Sequence, residues 1–297
     1  MLGNTIEEIA KNKAGIYKSG VPALSVPQDS ESAAAVLKQT ADANGAEFSV
    51  IPIIPDTPLG IRGKHQRINA SLAVGLAKSF LATRGKDLTG DLPESFVKPL
   101  AETKWPGRCQ KVERGQTTWL LDGAHTTESL RSCGEWAWSE AQPDVLIFNC
   151  SGGRAGESLL GSLLEAGARS SGSSQETLGA AFDSVVFCTN VTYTSGGFKG
   201  GKCCVLRVVS LLKADLTSNA IDPNDLAQLA TQNALREAWI KLNPSFDPSR
   251  VHAVPSIEHA IDIVKTLGKR QVLVAGSLHL VGGVMEVAGL QGALGME

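Results

Sequence analysis

The residues best placed to do chemistry are Asp122 and His125. They lie in Trp119-Leu120-Leu121-Asp122-Gly123-Ala124-His125-Thr126, an apolar run that ends in a carboxylate, a glycine and an imidazole before helix-like sequence. This order reads as strand, tight turn, helix. In open α/β sheets, ligands sit in the crevice beyond the carboxyl ends of the strands, so both side chains stand where chemistry is usual. The next helix's amino terminus adds about half a positive charge. Spacing leaves two roles open: the pair handles a proton or an anion, or it caps the helix that begins at Thr126. Arg108, on the Pro-Gly turn Trp105-Pro106-Gly107-Arg108 just upstream, is long enough to reach a phosphate or to serve as a surface residue.

Two glycine-rich stretches imitate phosphate loops. Gly196-Gly197-Phe198-Lys199-Gly200-Gly201-Lys202-Cys203 fits GxxxxGK, but Cys203 replaces the hydroxyl that ligates magnesium in such loops. The residues after it, Cys204-Val205-Leu206-Arg207-Val208-Val209, are strand-like, whereas a phosphate loop must open a helix. A flexible loop is the expected reading. Ser151-Gly152-Gly153-Arg154-Ala155-Gly156 follows a strand and precedes a helix, yet lacks the GxGxxG spacing; its amides and guanidinium suit an anion or a plain turn.

The elements that must position these residues alternate. Strands are expected at residues 118–121, 145–149, 184–189, 251–254 and 272–275, with a further one at 204–209. Helices are expected between them, including 226–242 and 256–267. Such alternation implies an α/β fold with a mostly parallel, doubly wound, Rossmann-like sheet in the carboxyl-terminal part. Upstream, Thr5 stands three residues before Glu8, the spacing of a capping box, and opens a first helix. Short strands at 23–26 and 48–54 follow, the second placed at an edge or limited to its first residues by Pro52. Asp29 or Ser30 caps a helix running to Asn44-Gly45, and the helix through Ile68, Leu72, Leu76 and Phe80 stops at Gly85. Three helices with two strands are too little sheet for a complete layer, so residues 1–85 read as the truncated end of an α/β domain. Residues 86–106 read as a polar linker, and 107–297 as the second domain.

A chain of 297 residues, 42% hydrophobic and 20% charged, has the balance of a globular protein. Its net charge of -2 gives no broad electrostatic reason to bind nucleic acid or a membrane surface. No apolar run approaches the roughly 20 residues that span a bilayer, and no secretory leader is recognisable, so an intracellular protein is expected. The six cysteines form no CxxC pair and read as buried reduced thiols.

Beyond these readings, the chain resembles the folylpolyglutamate synthases, within the Mur ligase superfamily, and looks closest to eukaryotic, fungal-like members. The matching stretches are Lys13-Ala14-Gly15-Ile16 with residues 2–10 before it, Gly63-Lys64-His65-Gln66-Arg67-Ile68-Asn69-Ala70, and Trp105-Pro106-Gly107-Arg108. They continue with Leu121-Asp122-Gly123-Ala124-His125-Thr126, Phe187-Cys188-Thr189-Asn190 and Gly276-Ser277-Leu278-His279-Leu280-Val281-Gly282-Gly283, in family order along almost the whole chain.

The resemblance implies an ATP-dependent ligase that adds L-glutamate to the γ-carboxylate of tetrahydrofolate and its polyglutamates through an acyl phosphate, with Mg2+ and room for a monovalent cation. It assigns Arg108 and Asp122 to ATP, His125 to the functional histidine of the DGAH turn, and Asn69 to the neighbourhood of adenine. Lys13 matches a lysine that is carbamylated in the superfamily, which would make it a magnesium ligand with an oxygen donor. The family's phosphate loop and remaining magnesium ligands match positions upstream of Met1, so the chain by itself is expected not to activate ATP normally. Where the family leads one to expect Arg-Asp after Asn149, the chain has Arg154-Ala155. A cytoplasmic monomer, with a mitochondrial form, is implied. The competing readings are a non-catalytic folate- or nucleotide-binding remnant, and a bifunctional dihydrofolate and folylpolyglutamate synthase.

Overall fold

The computed structural model describes residues 3, 5–63, 65–150, 155–194 and 229–294. The stretches 151–154 and 196–209, including the whole GxxxxGK pattern, all but Ala155-Gly156 of the other glycine-rich pattern, the 204–209 strand, Cys203 and Cys204, lie outside them. The chain divides into two compact units, Met1–Lys104 and Trp105–Glu297.

In the first unit, strands β1 (Ala23–Ser25) and β2 (Phe48–Val50) pair in parallel. Helix α1 (Ile6–Ala14) precedes them and α2 (Glu31–Ala43) joins them. Their starts follow local chemistry: Thr5 Oγ1 accepts from Glu8 N at 3.2 Å, and Ser30 Oγ from Ala33 N at 3.2 Å. Strand β2 stops two residues before Pro52, which has no N–H for a ladder. Helix α3 (His65–Ala82) buries Ala70 and Val74 against Ile54.

Helix α4 (Glu94–Glu102) falls inside the stretch expected to be a linker. Phe96 and Leu100, four residues apart, share one helix face and pack on the Ile54, Ala70 and Val74 cluster. The surrounding charges had hidden that short apolar stripe.

The second unit is a six-stranded sheet. In chain order its strands are β3 (Gln110–Arg114), β4 (Thr117–Leu121), β5 (Val145–Phe148), β6 (Ser184–Cys188), β7 (Val251–Val254) and β8 (Arg270–Ala275), arranged β3-β4-β8-β5-β6-β7. All pairings are parallel except β3 with β4. The expected doubly wound, mostly parallel sheet is present, with the antiparallel β3 added at one edge. Val112 is the single apolar residue in Gln110-Lys111-Val112-Glu113-Arg114, so this strand had no hydrophobic signal of its own.

Alternate residues of the inner strands supply two cores, one on each face. Leu120, Leu146, Phe148, Val185, Phe187 and Leu273 face α5 (Thr127–Glu140), α6 (Gly156–Ser171) and α8 (Ala230–Leu242). Trp119, Leu121, Ile147, Val186, Val272 and Val274 face α9 (Ile257–Thr266) and α10 (Leu278–Val287). A short helix, α7 (Gln175–Ala180), precedes β6. Ser256 caps α9 and Ser277 caps α10. No helix among the described residues is long and apolar enough to cross a membrane.

Candidate active site

Asp122 extends β4 by one backbone bond, its N–H donating to Val274 O at 3.0 Å. Its side chain is only 6% exposed, so each oxygen needs a partner. Oδ1 accepts from Ala124 N at 2.8 Å, closing the turn that leads to His125. Oδ2 accepts from Cys109 N at 2.8 Å and from the Cys109 thiol at 3.0 Å. Cys109 sits at φ 44, a left-handed conformation uncommon for a residue with a side chain. The two bonds it donates to Asp122 hold it there.

A backbone bond runs beside this clamp, Gly123 N donating to Gly107 O at 2.8 Å. One buried carboxylate therefore ties the turn that carries Arg108 to the turn that carries His125. Both of these side chains are half-buried. The His125 Nδ1 lies 2.9 Å from Gly123 O. A carbonyl only accepts, so Nδ1 is the donor in this bond. Ser129 Oγ accepts from His125 N at 3.0 Å and from Thr126 N at 2.9 Å, and the Thr126 side chain accepts from Ser129 N. Capping of α5 thus falls to Thr126 and Ser129. A guanidinium, an imidazole and the positive end of α5 are grouped along two joined turns, an arrangement suited to an anion that gains charge during reaction.

The rim continues along the neighbouring strand ends. Gly276 N donates to Ala124 O at 2.8 Å, and Asn149 N to Ala275 O at 3.4 Å. At Gly276 φ is +96, and a Cβ there would sit 2.1 Å from Asn149 O, so only glycine lets these turns approach. Asn149, Asn190 and Gln232 form a hydrogen-bonded row beside it. Sequence reasoning had passed over Asn149 and Gln232 as site residues; neither belongs to a pattern with a fixed spacing.

Asn69 and Lys13 belong to the first unit, on different helices. Asn69 is exposed on α3, and its Nδ2 donates to Gln66 Oε1 at 3.0 Å. It borders an apolar cavity of about 190 Å³ lined by Leu59, Ile61, Ala70, Ala73 and Leu100. Lys13 is exposed in the last turn of α1. Among the described residues no group of three or more His, Cys, Asp or Glu side chains is arranged to hold a metal. Cys109, Cys133, Cys150 and Cys188 are buried and unbridged, as the reduced-thiol reading expects. Burial first, and the Asp122 carboxylate second, push the Cys109 and Cys133 thiols upward and keep them protonated.

The fold defines a class, and the sequence adds a likeness. Mycobacterium tuberculosis folylpolyglutamate synthase complexed with ADP superposes with a TM-score of 0.64 at 20% identity, over 97% of this chain and 60% of that one. The Thermotoga maritima folylpolyglutamate synthase gives 0.58 at 20% identity, over 96% and 58%. A bifunctional folylpolyglutamate and dihydrofolate synthase from Yersinia pestis, complexed with AMPPNP and a Mn ion, gives 0.57 at 17% identity, over 98% and 58%. The chain therefore has the α/β architecture of these proteins.

No protein-family model matches the chain. A folylpolyglutamate synthase from Saccharomyces cerevisiae strain FostersO is 35% identical over 303 residues, covering 97% of this chain and 50% of the relative. Its counterpart in strain YJM789 matches equally well. The chain is thus similar to the folylpolyglutamate synthases, with fungal likeness, and it spans about half the length of the curated relatives it matches.

Proposed function

We propose that the chain supplies the nucleotide-facing turns of an ATP-dependent ligase that adds L-glutamate to the γ-carboxylate of tetrahydrofolyl polyglutamates through an acyl phosphate. The observation that carries this reading is the Asp122 clamp. It joins the turn that carries Arg108 to the turn that carries His125, in a chain 35% identical to yeast folylpolyglutamate synthase over 97% of its own length. Phosphoryl transfer asks a protein mainly for positioning and for positive charge near the transferring group. Arg108 supplies a permanent charge with a planar fork that suits phosphate oxygens. With Nδ1 donating to Gly123 O, His125 offers Nε2 to take a proton from the attacking amine or, once protonated, to pair with a phosphoryl oxygen. Asp122 acts by holding both turns, since each of its oxygens is already engaged.

Asn69 and the apolar cavity beside it suit a purine: aliphatic walls for the ring faces and a carboxamide for the donor and acceptor edge. For Mg2+ the chain offers Lys13 as its one family-matched candidate, and only as the carbamate, in which an oxygen replaces the ammonium. When bound, the ion would neutralise phosphate charge; the residues described here hold no complete ligand set for it. A monomer in the cytoplasm, with a mitochondrial form, completes the reading.

The test is ATP-dependent incorporation of labelled glutamate into tetrahydrofolate by this chain and by a version extended to the full length of its relatives. The extended protein should turn over and the 297-residue chain should not. His125→Ala in the extended protein should lower turnover by about 10²-fold or more, the usual contribution of a positioned acid or base. Unchanged turnover removes His125 from the mechanism. Activity toward dihydropteroate would convert the reading to the bifunctional one, and no incorporation by the extended protein would overturn it.

A further inference from the structure

Three carboxamides joined in series lie beside the ends of β5 and β6. Gln232 Nε2, from α8, donates to Asn149 Oδ1 at 3.0 Å, and Asn149 Nδ2 donates to Asn190 Oδ1 at 3.1 Å. Gln232 Nε2 also faces the Cys188 carbonyl at 3.4 Å. The oxygen and nitrogen of a carboxamide have nearly the same shape, so their assignment must rest on partners. Here the partners decide it. The Cys188 carbonyl only accepts, so the Gln232 atom facing it is nitrogen. The Asn149 atom meeting that nitrogen is then oxygen, which turns the Asn149 nitrogen toward Asn190 and obliges Asn190 to present its own oxygen.

The direction set at one backbone carbonyl therefore runs through the row and leaves the Asn190 NH2 as its outer end. Asn149 and Gln232 are each 4% exposed, so water cannot substitute for a lost partner, and reversing one amide would set like atoms against each other. Asn190 is only half-buried, and its NH2 meets no acceptor among the described residues. A row of aligned amide dipoles thus ends on an open pair of donors.

This end lies on the rim already described. Phe148 of β5 pairs with Phe187 of β6 and with Ala275 of β8, and Gly276 in turn bonds to Ala124 beside His125. We propose that Asn190 is a substrate-binding residue whose NH2 donates to an anionic oxygen, carboxylate or phosphoryl, of a ligand held at the strand ends. Gln232, which does not touch the ligand, is a positioning residue that sets the polarity of the row. Identifying the ligand as the incoming amino acid or ATP rests on the function proposed above.

In the extended protein, Asn190→Asp keeps the acceptor for Asn149 but turns a second oxygen toward the ligand. The KM for L-glutamate, if a carboxylate is bound, or for ATP, if a phosphoryl oxygen is bound, should rise about tenfold or more, with kcat little changed. Asn190→Ala should raise the same KM by less. Gln232→Glu should raise it without contacting substrate, because an ionised oxygen obliges Asn149 to reverse and Asn190 to show its oxygen. Adding Gln232→Glu to Asn190→Ala should then change nothing further, an outcome that a merely structural role for Gln232 would not produce. Unchanged KM values for both substrates in Asn190→Asp would overturn the proposal.

A second measurement separates this from failure of the function itself. In the ¹⁵N-labelled 297-residue chain, the Asn190 NH2 resonances, identified by their loss in Asn190→Asp, should shift with L-glutamate or with inorganic phosphate. A shift in a protein whose extended form makes no product would sink the ligase reading alone. No shift with either anion would sink the assignment of Asn190.

Discussion

The two units handle their apolar residues differently. In the second, six strands are covered on both faces, and of its large hydrophobic side chains only Trp105 and Leu278 are exposed among the described residues. In the first, two strands of three residues carry three small clusters, while Ile6, Ile16, Val21, Val50, Ile53, Ile68, Leu76 and Phe80 stand exposed. A sheet stabilises a domain when its width matches the layers laid on it, and two strands fall below that width. The clamped turns of the candidate site stand on the well-covered unit. A buried carboxylate with every bond directed needs a scaffold that does not shift.

Unfolding can break this comparison, because all five tryptophans, Trp105, Trp119, Trp136, Trp138 and Trp239, lie in the second unit. Phe148 is fully buried, with its ring edge-on to Phe187 at 6.5 Å. Phe148→Ala should cost about 3–5 kcal/mol and lower the urea midpoint seen by tryptophan fluorescence. Ile54→Ala, in the first unit, should leave that midpoint in place and weaken hydrogen-exchange protection of α3 and α4. If both variants move the fluorescence midpoint equally, the units unfold as one and the contrast fails.

Asp122→Ala comes next in size. It leaves the Cys109 N–H, the Cys109 thiol and the Ala124 N–H without their acceptor in a buried site, a loss of about 3 kcal/mol by the same fluorescence assay. Asp122→Asn should cost less, since its remaining oxygen still accepts. Wild-type stability in Asp122→Ala would show that the turns hold without the carboxylate.

The smallest effect concerns pH. His252, on edge strand β7, has its pKa lowered by burial and then by the Arg236 guanidinium. A histidine free in the unfolded chain titrates at about 6.5, so as pH falls the unfolded chain takes the proton first. Its contribution to stability is complete above that value and is lost as pH falls from there toward the folded pKa. His252→Gln should flatten this part of the stability profile of the second unit. A slope unchanged by the substitution would place the acid sensitivity elsewhere.

Much of the scaffold was legible because each signal was local. Val145-Leu146-Ile147-Phe148 and Ser184-Val185-Val186-Phe187-Cys188 are apolar runs of strand length, and Thr5, Ser30 and Ser256 each stand directly before a helix they cap. Strand β3 and helix α4 were not legible, since a mostly polar edge strand and a one-stripe helix acquire meaning only from a partner. In the candidate site, Asp122 and His125 were marked by their place after a strand. That the Asp122 carboxylate faces inward to Cys109 was not, because 13 residues of sequence separate the two.

The sequence by itself determined the alternation of strands and helices, the helix starts, and which turn carries a carboxylate with an imidazole. These follow from periodicity and capping, whose range is a few residues. Only the tertiary structure decided that Arg108 and His125 share one clamp, that Gly276 must lack a side chain, and that three amides point in a single direction. Those outcomes depend on strand order and on a carbonyl at Cys188 meeting Gln232 from a distant helix, and no local rule couples residues so far apart along the chain.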